Sequence, residues 1–215
     1  MSRITAGFFL NFVRGMIYLM TQINSLDGHF VDLCRSFFPE HRSEQMMTYR
    51  FPRDRKLCAA SYLLLIYALR SEGLFTELPV FQYGTGNETW QSGKKPVLAN
   101  YPGIHFSISH SNEVAVCAIS HNPVGIDVEK VEPYDDQLAR AICSPSEYEW
   151  VQADCAARAE RFTELWTRKE SMVKCSGTGI QEDPRQISSF GSVATSFFND
   201  GDNLYAVSRA DNYNS

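Results

Sequence analysis

Apolar and polar positions along the chain fall into two rhythms, one of strand length and one of helical spacing. Met16-Ile17-Tyr18-Leu19-Met20 is a short apolar run of strand length. Between residues 27 and 49, Phe30, Leu33, Cys34, Phe37 and Phe38 recur at helical spacing. Pro39 breaks that series, because its ring clashes with the preceding turn and it has no N–H, so two short helices are expected. Residues 53–69 form a strongly helical block before Gly73, and Leu63-Leu64-Leu65-Ile66 within it is more apolar than a surface helix needs. That helix is expected to lie buried against a sheet.

Residues 75–93 are turn-rich, with Pro79, Gly84, Gly86 and Gly93 around one candidate strand, Val80-Phe81-Gln82-Tyr83. Residues 106–109 and 114–120 read as strands flanking a turn at His110-Ser111-Asn112. Residues 124–128 form another strand, apolar and β-branched. Helices are expected over 137–142 and 156–175. The end holds two strands, 191–198 and 203–208, joined by the hairpin turn Asn199-Asp200-Gly201-Asp202. Strand, helices and strands thus occur in order twice, which predicts an α+β protein of two similar small halves meeting near His121-Asn122-Pro123.

Composition narrows the partners. The 215 residues are 44% hydrophobic and 21% charged, as in a soluble globular protein, and can bury one substantial core or two small ones. A net charge of −5 gives no global positive field for nucleic acid, so phosphate binding must come from a local cluster of Lys and Arg. The six cysteines form no C-x-x-C pair and read as reduced thiols, not a zinc site. The apolar run 6–13 between Arg3 and Arg14 has no convincing cleavage site and is too short to span a membrane. Residues 1–15 therefore read as an extension, and the expected location is the cytoplasm, with no membrane or nucleic-acid partner.

Three stretches carry candidate chemistry. In Gly125-Ile126-Asp127-Val128-Glu129-Lys130, residues two apart share a strand face, so Asp127 and Glu129 project together. Two adjacent carboxylates repel unless a cation joins them, as Mg²⁺ would, or both stay in water at a strand end. In the helix Trp166-Thr167-Arg168-Lys169-Glu170-Ser171-Met172-Val173-Lys174, the residues Trp166, Glu170 and Lys174 lie on one stripe, with Lys169 and Val173 a little off it. Glu170 and Lys174 fit either an ordinary surface ion pair or a ligand and a phosphate contact. The third stretch, Gly93-Lys94-Lys95-Pro96 followed by residues 105–111, clusters hydroxyls and imidazole that can bind phosphate or be plain turn residues. There is no nucleophile elbow, no Walker A sequence and no Rossmann glycine pattern.

Taken in this order, four blocks resemble the 4′-phosphopantetheinyl transferases of the surfactin type. They are Lys95-Pro96, Phe106-Ser107-Ile108-Ser109-His110-Ser111, residues 125–130, and Trp166-Thr167-Arg168-Lys169-Glu170-Ser171 with Lys174. The resemblance extends from Met16 to the C-terminal strands and leaves out the first fifteen residues. After Gly179 the chain has about one hairpin where larger relatives have an additional stretch.

The resemblance implies a two-subdomain chain, residues 16–122 and 123–215, folded as a pseudo-dimer and acting as a monomer with its site in the cleft between them. It implies transfer of the 4′-phosphopantetheine arm of coenzyme A to a serine of an apo acyl or peptidyl carrier protein, releasing adenosine 3′,5′-bisphosphate. Asp127, Glu129 and Glu170 would hold Mg²⁺. Glu170, or a water it orients, would take the serine proton, and Lys174 would meet the pyrophosphate. Lys95, Ser109 and His110 would bind coenzyme A around its phosphates, with Asp127 beside them, while Arg42 and Arg55 would grip the 3′-phosphate end. The segment 143–162 is the expected rim for the carrier. Two other classes use the same residues: a different Mg²⁺-dependent nucleotide-cleaving enzyme, and a non-catalytic coenzyme A-binding protein.

Overall fold

A 20-residue helix, α3 (Pro52–Ser71), is the spine of the first half of the chain, and eleven of its residues are buried. The computed structural model describes residues 8–12, 15–84, 95–177, 183–191 and 193–211. Pro52 sits at the first turn of α3, where a missing N–H costs nothing, and Gly73 follows its end in a left-handed conformation (φ +70°). The helix packs on a four-stranded antiparallel sheet formed by β1 (Phe8–Phe12), β2 (Gly15–Met20), β5 (His105–Ser111) and β6 (Val114–Ser120) in the order β1-β2-β6-β5. Tyr62, Leu65 and Leu69 of the helix meet Met20, Cys117 and Phe106 in one apolar cluster, as the leucine-rich run required.

Pro39 does split the preceding segment, into α1 (Phe30–Phe37) and α2 (Glu40–Thr48). A two-stranded ribbon, β3 (Phe81–Tyr83) with β4 (Pro96–Leu98), closes that side; the turn residues Gly86 and Gly93 lie outside the described residues. The β5–β6 turn comes two residues later than the sequence suggested. His110 and Ser111 still pair in the ladder, with Ala115 and Val114, and it is Asn112 that takes the left-handed conformation (φ 55°). A short amide side chain tolerates that region better than most, which explains the shift.

The second half has a three-stranded antiparallel sheet, β7 (Val124–Lys130), β9 (Asn203–Asp211) and β8 (Ala194–Asp200), in the order β7-β9-β8. Gly201 (φ +56°) makes the tight turn between β8 and β9. Before it come α4 (Asp136–Ile142), α5 (Pro145–Gln152) and the 19-residue α6 (Arg158–Ser176). Ser144 and Glu147 form a reciprocal cap at the start of α5, with Pro145 in the first turn.

Helix α6 lies unusually close to β7. A Cβ built on Gly125 would stand 1.9 Å from the Ser171 carbonyl oxygen and 2.4 Å from the Cys175 nitrogen, so only glycine fits there. The facing stripe of α6 is made of small buried side chains, Thr163, Thr167 and Ser171, and Thr167 is hydrogen-bonded to Ser208 of β9 at 2.8 Å. The two sheets share a core in which Ile17, Leu19 and Val116 meet Ile126, Val128 and Val207. Buried Arg209 adds a polar tie, donating to the Met16 carbonyl (2.7 Å) while paired with Asp211 (2.9 Å). None of the six cysteines is in a disulfide. Among the described residues, no helix is long and apolar enough to cross a membrane.

Candidate active site

A cavity of about 700 Å³ opens between the two halves. Its walls hold Lys95, Ser109, His110, Asp127, Glu129, Glu170 and Lys174, together with Arg42 at its far end. Seven of these come from the three stretches singled out in the sequence, carried by β5, β7, α6 and the residue before β4. Arg55 stands apart: it is half-buried, donates its Nε to the Tyr49 carbonyl (2.8 Å), and is not among the wall residues.

Strand β7 delivers the carboxylates. Ile126 and Val128 go into the shared core while Asp127 and Glu129 face the cavity, as period-two alternation predicts. Asp127 is not at a solvated strand end, however: only 2% of its surface is exposed. Its Oδ1 accepts from Ser109 Oγ (2.7 Å) and Lys174 Nζ (2.5 Å), whereas its Oδ2 is buried and, among the described residues, has no hydrogen-bond partner. Glu129 accepts from Ser111 Oγ at 2.7 Å.

Helix α6 has three working faces. The small-residue stripe meets the sheet, a second face holds Leu165 and Lys169, and a third brings Trp166, Glu170, Val173 and Lys174 to the cavity. Lys169 is therefore on a different face from Glu170, not beside it. It is 1% exposed, pairs with Glu147 at 2.7 Å, and also donates to the Ile142 and Pro184 carbonyls. One residue of helix turns a side chain by about 100°, which is enough to separate the two. Lys174 meets Asp127 across the cleft, which a pairing with Glu170 along the helix would not have done.

The electrostatics of the cavity are unbalanced. Burial pushes the Asp127, Glu129 and Glu170 carboxyls above their ordinary values, and they repel one another; Lys174 offsets this only in part. Lys95 has its ammonium tucked under two carbonyls, Val124 (2.7 Å) and Lys174 (2.6 Å), and burial lowers it to about 8. Burial and the nearby Lys174 charge hold the His110 imidazole below its usual value. At the far end, buried Arg42 lies over the rings of Tyr62 (4.9 Å) and Phe81 (4.7 Å), which touch each other edge to face, and among the described residues its Nε has no partner.

Among the described residues, no three His, Cys, Asp or Glu side chains stand together as a ready-made metal cage. The donor set nevertheless suits a hard divalent cation. It offers carboxylate oxygens only, one of them buried and without a partner among the described residues, in a recess where burial disfavours the bare charges. Sequence reasoning missed the remaining wall, including Gln45, Tyr49, Ser61 and Tyr83, because nothing in their spacing marks them.

Comparison with known proteins gives the chain's relatives. Residues 123–212 match the profile of the 4′-phosphopantetheinyl transferase superfamily. Over 78 residues the chain is 46% identical to 4′-phosphopantetheinyl transferase gsp of Aneurinibacillus migulanus, covering 36% of this chain and 33% of that protein. It is 40% identical over 87 residues to a 4′-phosphopantetheinyl transferase of Bacillus subtilis, covering 40% and 39%. With 4′-phosphopantetheinyl transferase Sfp of Bacillus subtilis (strain 168) it shares 28% identity over 153 residues, 66% of each. The chain thus spans from a third to two thirds of the length of these relatives. Residues 123–212 are therefore similar to the 4′-phosphopantetheinyl transferase superfamily, and over a longer stretch the chain is similar to the transferase Sfp.

Proposed function

We propose that this protein moves the 4′-phosphopantetheine arm of coenzyme A to a serine of an apo acyl or peptidyl carrier protein. The observation that carries this reading is the gathering of Asp127, Glu129, Glu170, Lys95 and Lys174 in one cavity, where the buried Oδ2 of Asp127 has no partner among the described residues. Asp127, Glu129 and Glu170 would hold Mg²⁺, and the ion would supply positive charge against the phosphate oxygens. Lys174, Lys95, Ser109 and His110 bind and orient the pyrophosphate. Arg42, from the far end, and Arg55, from outside the cavity wall, are assigned to the 3′-phosphate. The carrier serine Oγ attacks the phosphorus that bears pantetheine, and the bond to adenosine 3′,5′-bisphosphate breaks. The serine proton passes to Glu170, the carboxylate that α6 brings to the cavity.

The proposal extends to organisation. Residues 16–122 and 123–215 are two similar subdomains, which is supported by each having one long helix, α3 or α6, on an antiparallel sheet of its own. In this reading the protein works as a monomer in the cytoplasm, with the cavity groups all supplied by one chain. The carrier approaches along the rim at 143–162.

Incubation of an apo carrier protein with this protein, coenzyme A and Mg²⁺ tests the reading by intact mass. A gain of one phosphopantetheine, abolished by EDTA, is expected. Hydrolysis of coenzyme A without any carrier would favour a different nucleotide-cleaving enzyme. Binding of coenzyme A with no turnover on several carriers would make it a non-catalytic binder.

A further inference from the structure

Strand β5 carries serine at every second position on the face toward β7. Ser107 Oγ accepts from the Ile126 N–H (3.0 Å), Ser109 Oγ donates to Asp127, and Ser111 Oγ donates to Glu129 Oε2 while accepting from the Lys130 N–H (3.3 Å). The partners advance in the same direction on both strands, so β5 and β7 run parallel here although they belong to different sheets. Three hydroxyls therefore join the sheets where a backbone ladder would otherwise do so.

Ser111 alone of the three both accepts from a backbone N–H and donates to a carboxylate; Ser107 has the first contact, and Ser109, which donates to Asp127, accepts from Lys174 (2.9 Å) instead. With its oxygen held by the Lys130 N–H, the Ser111 proton is directed to Glu129. Glu129 has three side-chain torsions and is half-buried at the cavity wall. Among the described residues, Ser111 gives its carboxylate the one side-chain hydrogen bond it has.

We infer that Ser111 is a positioning residue: it fixes one oxygen of Glu129 and so sets the direction in which the other is offered to a divalent cation. This rests on the metal role proposed above for Glu129. Side chains that orient a ligand in this way typically change metal affinity by about 10–100-fold when removed.

The test uses the full chain with coenzyme A and Mn²⁺, counting free Mn²⁺ by electron paramagnetic resonance, beside the Mg²⁺ dependence of transfer. Ser111→Ala is expected to weaken Mn²⁺ binding about tenfold and to raise half-saturating Mg²⁺ by the same factor. Its melting temperature without metal should hardly move, because Ser107 and Ser109 still join the strands. Ser111→Thr, which keeps the hydroxyl, should restore affinity. Wild-type Mn²⁺ affinity in Ser111→Ala, or equal loss in Ala and Thr, would overturn the inference. If Ser111→Ala does not fold, Ser111→Cys replaces it as a same-sized weak donor, and wild-type affinity there overturns it equally. Failure of the unsubstituted protein to bind Mn²⁺ would instead strike the metal reading itself, and this inference with it.

Discussion

Helix α6 holds two lysine–carboxylate pairs five residues apart, and they are opposites. Lys169 and Glu147 are both almost wholly buried, and every oxygen and proton has somewhere to go. Glu147 Oε1 accepts from the Ser189 N–H and hydroxyl, its Oε2 accepts from Lys169 and the Ser144 N–H, and Lys169 also donates to two carbonyls. Burial alone would raise the Glu147 carboxyl, but Lys169 and Ser189 outweigh it and hold the carboxyl below its ordinary value. Lys174 and Asp127 are closer together, at 2.5 Å, yet burial wins there: the carboxyl stays raised, and Oδ2 has no partner among the described residues. A saturated pair secures α5, α6 and the segment around Ser189 to one another. An unsaturated pair beside a cavity has capacity left for a ligand.

Substitutions can break this contrast. The largest effect is expected at the unsaturated pair. Asp127→Asn removes a charge but little volume, so transfer should fall about 10³-fold, the scale of losing a main electrostatic contact. Its melting temperature should stay level or rise, read by calorimetry beside the carrier mass assay. A full-rate Asp127→Asn protein would erase the distinction.

Next comes Lys169→Met, which strands Glu147 in the interior and should cost about 3–5 kcal/mol of stability by denaturant titration. The remaining folded fraction should transfer at close to the wild-type rate. Adding Glu147→Gln should return part of the stability, since no bare charge is then left buried.

The smallest effect concerns Lys95, which stands between the two kinds. Its ammonium is hydrogen-bonded like a structural group but lines the cavity, and it loses its proton near 8. Below that pH it is already charged. Above it, coenzyme A phosphates can recruit the charge only by taking up a proton, so affinity should fall by up to about tenfold from pH 7 to pH 9. Calorimetry in buffers of different ionisation enthalpy should show that proton uptake in the wild type and none in Lys95→Met.

Much of this was legible in the sequence, and the exceptions have physical causes. The two-residue spacing of Asp127 and Glu129 correctly put both on one face, because strand alternation is rigid. Helical spacing fixed the angles between Trp166, Glu170 and Lys174 but could not say how wide the cavity-facing stripe is, so Lys169 was grouped with them. Helix α5 was missed although Ser144-Pro145-Ser146-Glu147 is a capping signal that could have been read. Strand β4, three residues opening with a proline, carries no such signal. With the turn expected at 110–112, Ser111 fell off the strand, and the alternation of serines at 107, 109 and 111 emerged only once β5 proved to run on to residue 111.

Gly125 has a consequence of a different kind. With the α6 backbone resting directly on the strand, the gap is set by main-chain atoms, which cannot swing aside as side chains do. One added methyl at 125 would touch neither a carboxylate nor a lysine, yet it would shift the helix that carries Glu170 and Lys174 together. Under the function proposed above, a defect there would present as simultaneous loss of cation binding, coenzyme A binding and proton transfer, and would be easy to mistake for several separate lesions. The clearance of the whole apparatus is machined at a position that performs no chemistry.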